Sequence, residues 1–317
     1  MESINIKNTV YEMKRFITLF IAAIAALSLS AHEANVPATA QNVTKEYKLS
    51  GFEELAVSHT FHVDLTRSES YFVSVDAPDF LVPYLIVEVR GNCLVLGLNE
   101  LPRDIRHRLD NSRFRLSATV SMPNLTGLKM SGASNLRANG EFAPRRYFSA
   151  TLSGACAVSD LVVRTQDASF VCSGASNLRA SGSFNDVHIK ASGSSKATIT
   201  ADAKVADVEL SGASHVSLDG RTDKMDVQAS GASHYSQKGH IINLVGRASG
   251  SSQIYTDDAP ATTAAINLSG ASRARVDVQD TISMSLSGAS RLEYRANDRL
   301  RIQHKDVSRA SSVSSFR

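Results

Sequence analysis

Cysteine, net charge and helical periodicity are all scarce in this chain. Its 317 residues hold three cysteines, Cys93, Cys156 and Cys172, too few for the bridged framework on which small exported domains depend. Lys and Arg number 34 against 31 Asp and Glu, and so even a balance lacks the basic footprint that a general nucleic-acid partner requires. No 3.6-residue apolar stripe runs through it, which excludes helical repeats, whose units reach about 33 residues or more. A Ser-His-Asp arrangement, a phosphate-cradling loop and a nucleotide fingerprint are all missing. The sequence is therefore nearly silent on chemistry.

What it has instead is repetition. Nine Ser-Gly-Ala-Ser tetrapeptides, two of them Ser-Gly-Ser-Ser and one ending in Cys156, place glycines at 132, 154, 174, 193, 212, 231, 250, 270 and 288. The intervals of 22, 20, 19, 19, 19, 19, 20 and 18 residues require one supersecondary unit to be rebuilt beside its predecessor. Counted from each glycine, the residues at minus four, minus two and plus four are apolar or small, as in Val208, Leu210 and Val216 around Gly212. Odd offsets are mostly polar, and that period of two belongs to a strand with one buried face. A unit of about 19 residues suits one turn of a coil of parallel strands, whose rungs hydrogen-bond about 4.8 Å apart. The expected fold is all-β: a single-stranded parallel β-helix of about 19 residues per rung, with less regular N-terminal rungs or a cap.

In such a coil equal offsets stack into ladders. Simple alternation turns the plus-two serines inward; a bend at the glycine shifts the parity and brings the plus-one alanines inward instead. Cys156 at plus two and Cys172 at minus two lie in consecutive rungs but about 13 Å apart along the strand, beyond disulfide reach, so free and mostly buried thiols are expected.

Met13, Lys14 and Arg15 precede an apolar run from Phe16 to Leu29 that closes on small residues. This pattern predicts a secretory signal peptide over residues 1–31, too short a run for a membrane span, and hence an exported protein in the periplasm, at the outer cell surface or secreted. Removing residues 1–30 takes away Lys7, Lys14 and Arg15 with Glu2 and Glu12, so the net charge falls from +3 to +2. Residues 32–42 are expected to be a flexible leader. Residues 43–126 are expected to form irregular β rungs and a cap, or else a separate small β domain, with a polar loop from Asn99 to Asn111. Residues 127–294 carry the regular rungs. Residues 295–317, with a degenerate Ser308-Arg309-Ala310-Ser311, are expected to be a C-terminal cap, a frayed tenth turn or, in the final serine-rich stretch, a disordered tail.

Together, Leu49-Ser50-Gly51-Phe52-Glu53-Glu54-Leu55, the stretch Met130 to Leu136 and the stretch Cys172 to Leu178 give the chain its family likeness. From about Tyr47 to Glu293 it resembles the Bacteroidetes family called "putative autotransporter adhesin, head GIN domain", a domain of unknown function. The resemblance implies a right-handed β-helix and supplies no catalytic residues. The 24 residues after Glu293 are too few for a membrane barrel that would export the chain.

The best binding candidates lie at plus three, where Lys196, His215, His234, Gln253, Arg273 and Arg291 form an outward strip beside the small corner residues. Such a strip suits a glycan or an anionic surface polymer, with Arg137, Arg179 and Arg275 at plus five widening it. His215 and His234 lack a third metal ligand at the same offset, so no metal and no cofactor is expected. Asp207 with Asp226, and Asp257 with Asp277, are acidic pairs of the kind that polysaccharide-active enzymes use. Lys204 and Lys224 are placed to neutralise the first pair, and short rungs leave little room for a cleft. The basic insertion Arg103, Arg106, His107, Arg108, Arg113 and Arg115 is offset by Asp104 and Asp110 and is read as a solvated loop. The expectation is an exported, non-enzymatic scaffold or adhesin-like binding protein contacting polysaccharide, a protein partner or another copy of itself. A polysaccharide-active enzyme and a purely structural envelope protein are the alternatives.

Overall fold

A computed structural model describes residues 41–110 and 115–317; the expected signal peptide and nearly all of the expected leader lie outside the described residues. The chain is a β-solenoid of about ten turns with about 19 residues per turn. Each regular turn has two walls. One strand of up to 16 residues, such as Lys196–Leu210 or Gln253–Leu268, leaves one glycine corner, bends midway and enters the next. Successive strands pair parallel and in register: Lys196 with His215, His215 with His234, Leu210 with Ala229.

The corner explains the tetrapeptide. All nine glycines lie at φ between 69° and 77°, the left-handed region where a β-carbon is strained. At Gly212 that carbon would also stand 2.8 Å from the Gly193 carbonyl oxygen. The same carbonyl accepts the Ala213 amide at 2.8 Å, and equivalent bonds join the corners from His59 to Ala289, so the turns are laddered as fully as the walls. The plus-one alanines face solvent, and the plus-two serines Ser134, Ser195, Ser214, Ser252, Ser272 and Ser290 are buried. Simple alternation is therefore the parity the chain adopts. Most of these hydroxyls settle on backbone rather than on each other: Ser195 donates to Cys172 O at 3.2 Å, Ser214 to Ala191 O at 3.1 Å and Ser252 to Ala229 O at 3.0 Å. These donors thereby keep a partner inside the core, where an unmade bond costs about 1–3 kcal/mol; the equally buried hydroxyls of Ser176 and Ser233 take none.

Between the walls the core is filled mainly by buried apolar side chains. Phe148, Phe170 and Phe184 pack with ring centroids 5.8 Å apart at each step. The fully buried Tyr235 donates to Gln237 Oε1 at 2.8 Å, and Gln237 Nε2 donates to Thr222 Oγ1 at 3.2 Å. Burial pushes the Tyr235 phenol well above its ordinary range and the Cys172 thiol up to about 12. Both therefore stay neutral, and Cys172 stays unreactive. Cys93, Cys156 and Cys172 are free, the last two buried, as the ladder spacing predicts.

The N-terminal region joins the same coil. Glu54–Val57 pairs parallel with Gly127–Met130 on one side and with Cys93–Leu98 on the other; Phe61–Arg67 does the same with Asn135–Asn139 and Leu116–Met122. The strands Cys93–Leu98 and Leu116–Met122 thus lie beneath Glu54–Val57 and Phe61–Arg67, against chain order. Antiparallel strands Asn42–Glu46, Phe72–Pro78 and Leu85–Arg90 finish this end, covering edges that a bare coil leaves unpaired. The expected polar loop contains an α-helix, Arg103–Asp110. Asp104 sits in its first turn, where a carboxylate favours helix, and Ile105 is buried. Among the described residues no helix is long and apolar enough to cross a membrane.

The serine-rich end departs from the expected disorder. Arg301–Val307 pairs with Thr281 to Leu286, and Ser312–Phe316 pairs with Arg291–Arg295. Its degenerate corner is held by Ser311 Oγ donating to Gly288 O at 3.1 Å. Phe316 lies under the guanidinium groups of Arg275 and Arg295, 4.2 and 4.9 Å from its ring centre. An open strand edge and a cation–π contact order a segment whose composition alone suggests none.

Candidate functional site

The six plus-three residues come together as one column. Lys196, His215, His234, Gln253, Arg273 and Arg291 are register partners in sequence, placed outward by the inward anchoring of Ser195, Ser214, Ser233, Ser252, Ser272 and Ser290 just before them. Lys196, Arg273 and Arg291 are exposed, and His215, His234 and Gln253 are half-buried. The two imidazoles stack at 4.5 Å with 13° between planes, and His234 Nδ1 lies 3.3 Å from Gln253 Oε1. Partial burial, then the neighbouring His234 and Lys196, lowers the pKa of His215 below its ordinary value, so at neutral pH it presents an uncharged ring.

Tyr255, two residues beyond the column at plus five, completes a cluster that the offsets did not single out. Its ring meets His234 edge-on at 5.0 Å. The column also reaches further down than the tetrapeptides do, because Ser58-His59-Thr60-Phe61 is a further, glycine-less corner. His59 holds the left-handed conformation at φ 68°, its carbonyl accepts the Ala133 amide, and Phe61 fills the plus-two place. His62 then stands at plus three, its Nε2 3.3 Å from Asn135 Nδ2. The apolar set Val57, Phe61, Val63 and Leu65 carries this signal in the sequence at offsets minus two, plus two, plus four and plus six.

The charges around the strip are divided unevenly. Arg137 pairs with Asp160 at 3.3 Å and Arg275 with Asp257 at 3.1 Å, so two of the three flanking arginines are already engaged. Among the described residues Lys196, Arg179, Arg273 and Arg291 take no ion-pair partner. From Asn177 to Glu293 the plus-three and plus-five columns contain one carboxylate, Glu293.

The acidic pairs are arranged otherwise than expected. Asp207 and Asp226 are register partners, but Arg247, and neither Lys204 nor Lys224, clasps Asp226 through both oxygens at 2.7 and 2.8 Å. The next ladder breaks after Thr256 and Val276, so Asp257 and Asp277 do not stack; Asp277 is buried and bonded to Arg295 at 2.8 Å and to Gln279. Asp226, Asp257 and Asp277 each face a guanidinium group rather than a second carboxylate across a cleft. Among the described residues no three His, Cys, Asp or Glu side chains converge as a metal site.

Solved structures share this architecture. A structure titled a "putative adhesin" from Parabacteroides merdae matches with a TM-score of 0.52 and 14% identity, covering 87% of this chain and 97% of that one. One titled a "putative lipid binding protein" from Parabacteroides distasonis matches with a TM-score of 0.51 and 15% identity over the same shares. At such identities the likeness is one of fold. No curated protein matches. The family model described as "Putative auto-transporter adhesin, head GIN domain" matches residues 51–201 and 195–297, nearly the whole coil with its stacked corners, and the chain belongs to that family.

Proposed function

We propose that this is an exported, non-enzymatic, adhesin-like binding protein of the cell envelope that engages an acidic polysaccharide through the plus-three strip. The observation that carries it is the strip itself: in-register cations without carboxylate partners on either side of a half-exposed ring cluster, His215, His234 and Tyr255. A rigid column with groups about every 4.8 Å meets a polymer with little ordering cost on the protein side. The imidazole and phenol faces offer stacking surface to sugar rings, and the unpaired cations attract carboxylate or sulfate groups. The family description, and the printed titles of the two structural relatives, point to adhesion or ligand binding in proteins of this build. The basic and apolar N-terminal segment supports export. The engaged state of Asp226, Asp257 and Asp277 favours binding over acid–base chemistry.

On a glycan array, binding to acidic polysaccharides is expected, weakening as salt screens the strip. Combining Lys196→Ala, His215→Ala and Arg273→Ala is expected to lower it at least tenfold with the fold intact by circular dichroism. Undiminished binding by the triple variant places the contact on another face.

A further inference from the structure

An open groove lies across the glycine corner from this strip. Its volume is about 690 Å³, within the range of ligand sites. Its wall is the minus-three column, Lys190, Glu209, Gln228, Arg247, Asn267 and Ser285, each in register with the next. Its floor is the column of minus-one serines, Ser211, Ser230, Ser249, Ser269 and Ser287. Small floor residues between the corner ridge and longer wall residues make the channel, which follows the solenoid axis for five rung steps, about 24 Å.

The chemistry of the groove differs from that of the strip. Its charges are internally cancelled: Lys190 bonds Glu209 at 2.6 Å, and Arg247 is committed to Asp226. The hydroxyls of Ser230, Ser269 and Ser287 donate inward to Leu210 O, Ala248 O and Leu268 O at 3.2, 3.5 and 3.5 Å, so their oxygens face the channel as acceptors. The amides of Gln228 and Asn267 are exposed and, among the described residues, take no hydrogen-bond partner; they offer donors and acceptors at alternate rungs. No aromatic or large exposed apolar side chain lines the channel, which argues against a lipid tail. An extended peptide lying along the axis advances about 3.3 Å per residue and soon loses step with rungs about 4.8 Å apart. A chain of sugar rings, hydroxylated on both edges, tolerates that spacing because each ring reaches several donors and acceptors.

We infer that this groove is a second, separate binding site that takes an uncharged, extended polysaccharide chain along the solenoid axis. It stands on a different face and a different ligand class from the strip, so either can fail alone. The test is affinity electrophoresis of the full chain through gels containing galactomannan, glucomannan, dextran or, for contrast, polygalacturonate. Wild-type protein is expected to be retarded by at least one of the three neutral polymers. The double variant Gln228→Ala with Asn267→Ala, and separately Ser249→Phe, which fills an exposed floor position, are expected to weaken that retardation tenfold or more with unchanged thermal midpoints. The strip variant is expected to keep it. Absence of retardation in all three neutral gels overturns the inference, as does retardation that both groove variants retain. If either groove variant melts early, the other decides.

Discussion

Replacing Gly212 by valine is expected to destabilise the solenoid by about 2–6 kcal/mol. Two costs add. A β-branched residue held in the left-handed region costs about 1–3 kcal/mol, and Gly212 sits at φ 69°. Its added carbon would press on the Gly193 carbonyl at 2.8 Å, and backbone on both sides is fixed by the corner ladder, so relief requires moving a rung, an overpacking cost of about 1–3 kcal/mol. With a urea dependence of about 3 kcal/mol per M, the midpoint falls by about 0.7–2 M. The neighbouring Ala213→Val is the control: Ala213 is exposed and outside the left-handed region, so its effect is expected to stay within about 0.5 kcal/mol. Equal behaviour of the two variants contradicts the corner geometry.

The second large effect is expected at Phe170. Its ring is fully buried, lies between Phe148 and Phe184, and has Ala150 below and Ile189 above in register. Phe170→Ala leaves a cavity between two walls that are each pinned by parallel pairing to the rungs on either side, so the cost is expected at the upper part of the usual range of about 3–5 kcal/mol. Phe170→Leu, which keeps most of the volume, is expected to cost less than half as much in the same unfolding experiment. Because repeat arrays unfold in segments, hydrogen exchange is expected to place the loss in the rungs around residues 148–191. Loss spread evenly over the molecule contradicts a core built from local rungs.

The regular rungs are legible in the sequence because one residue type solves one problem at each turn. A left-handed corner flanked by its own copies admits only glycine comfortably, and the inward plus-two place of every tetrapeptide is taken by a small side chain, most of which bond backbone. Where another solution serves, the signal fades. His59 holds the same corner as glycine does, stacked below Gly132, and only the alternation from Val57 to Leu65 betrays the rung. The pairing of Glu54–Val57 and Phe61–Arg67 above Cys93–Leu98 and Leu116–Met122 is a long-range choice that no local pattern encodes. The helix Arg103–Asp110 hides within a polar stretch because Ile105 alone of its described side chains is buried.

The candidate strip is legible for the same reason as the corners, since equal offsets become neighbours once the coil is assumed. What the offsets do not contain is the ionic bookkeeping. Arg275 and Arg137 look equivalent to Arg179 in the sequence, yet their carboxylate partners, Asp257 and Asp160, come from strand positions whose orientation depends on local register breaks. The groove is harder still to foresee, because it is a property of the gap between two columns.

All of these expectations depend on equal offsets standing in one column. Spin labels at residue 177 paired in turn with labels at residues 253, 273 and 291, in a Cys93→Ser background, measure that column directly by pulsed electron resonance. The pairs are four, five and six rungs apart, so the mean distances are expected near 19, 24 and 29 Å, rising by one constant step of about 4.8 Å per rung. Distances that fail to rise by a constant step contradict the solenoid register and with it the strip and the groove.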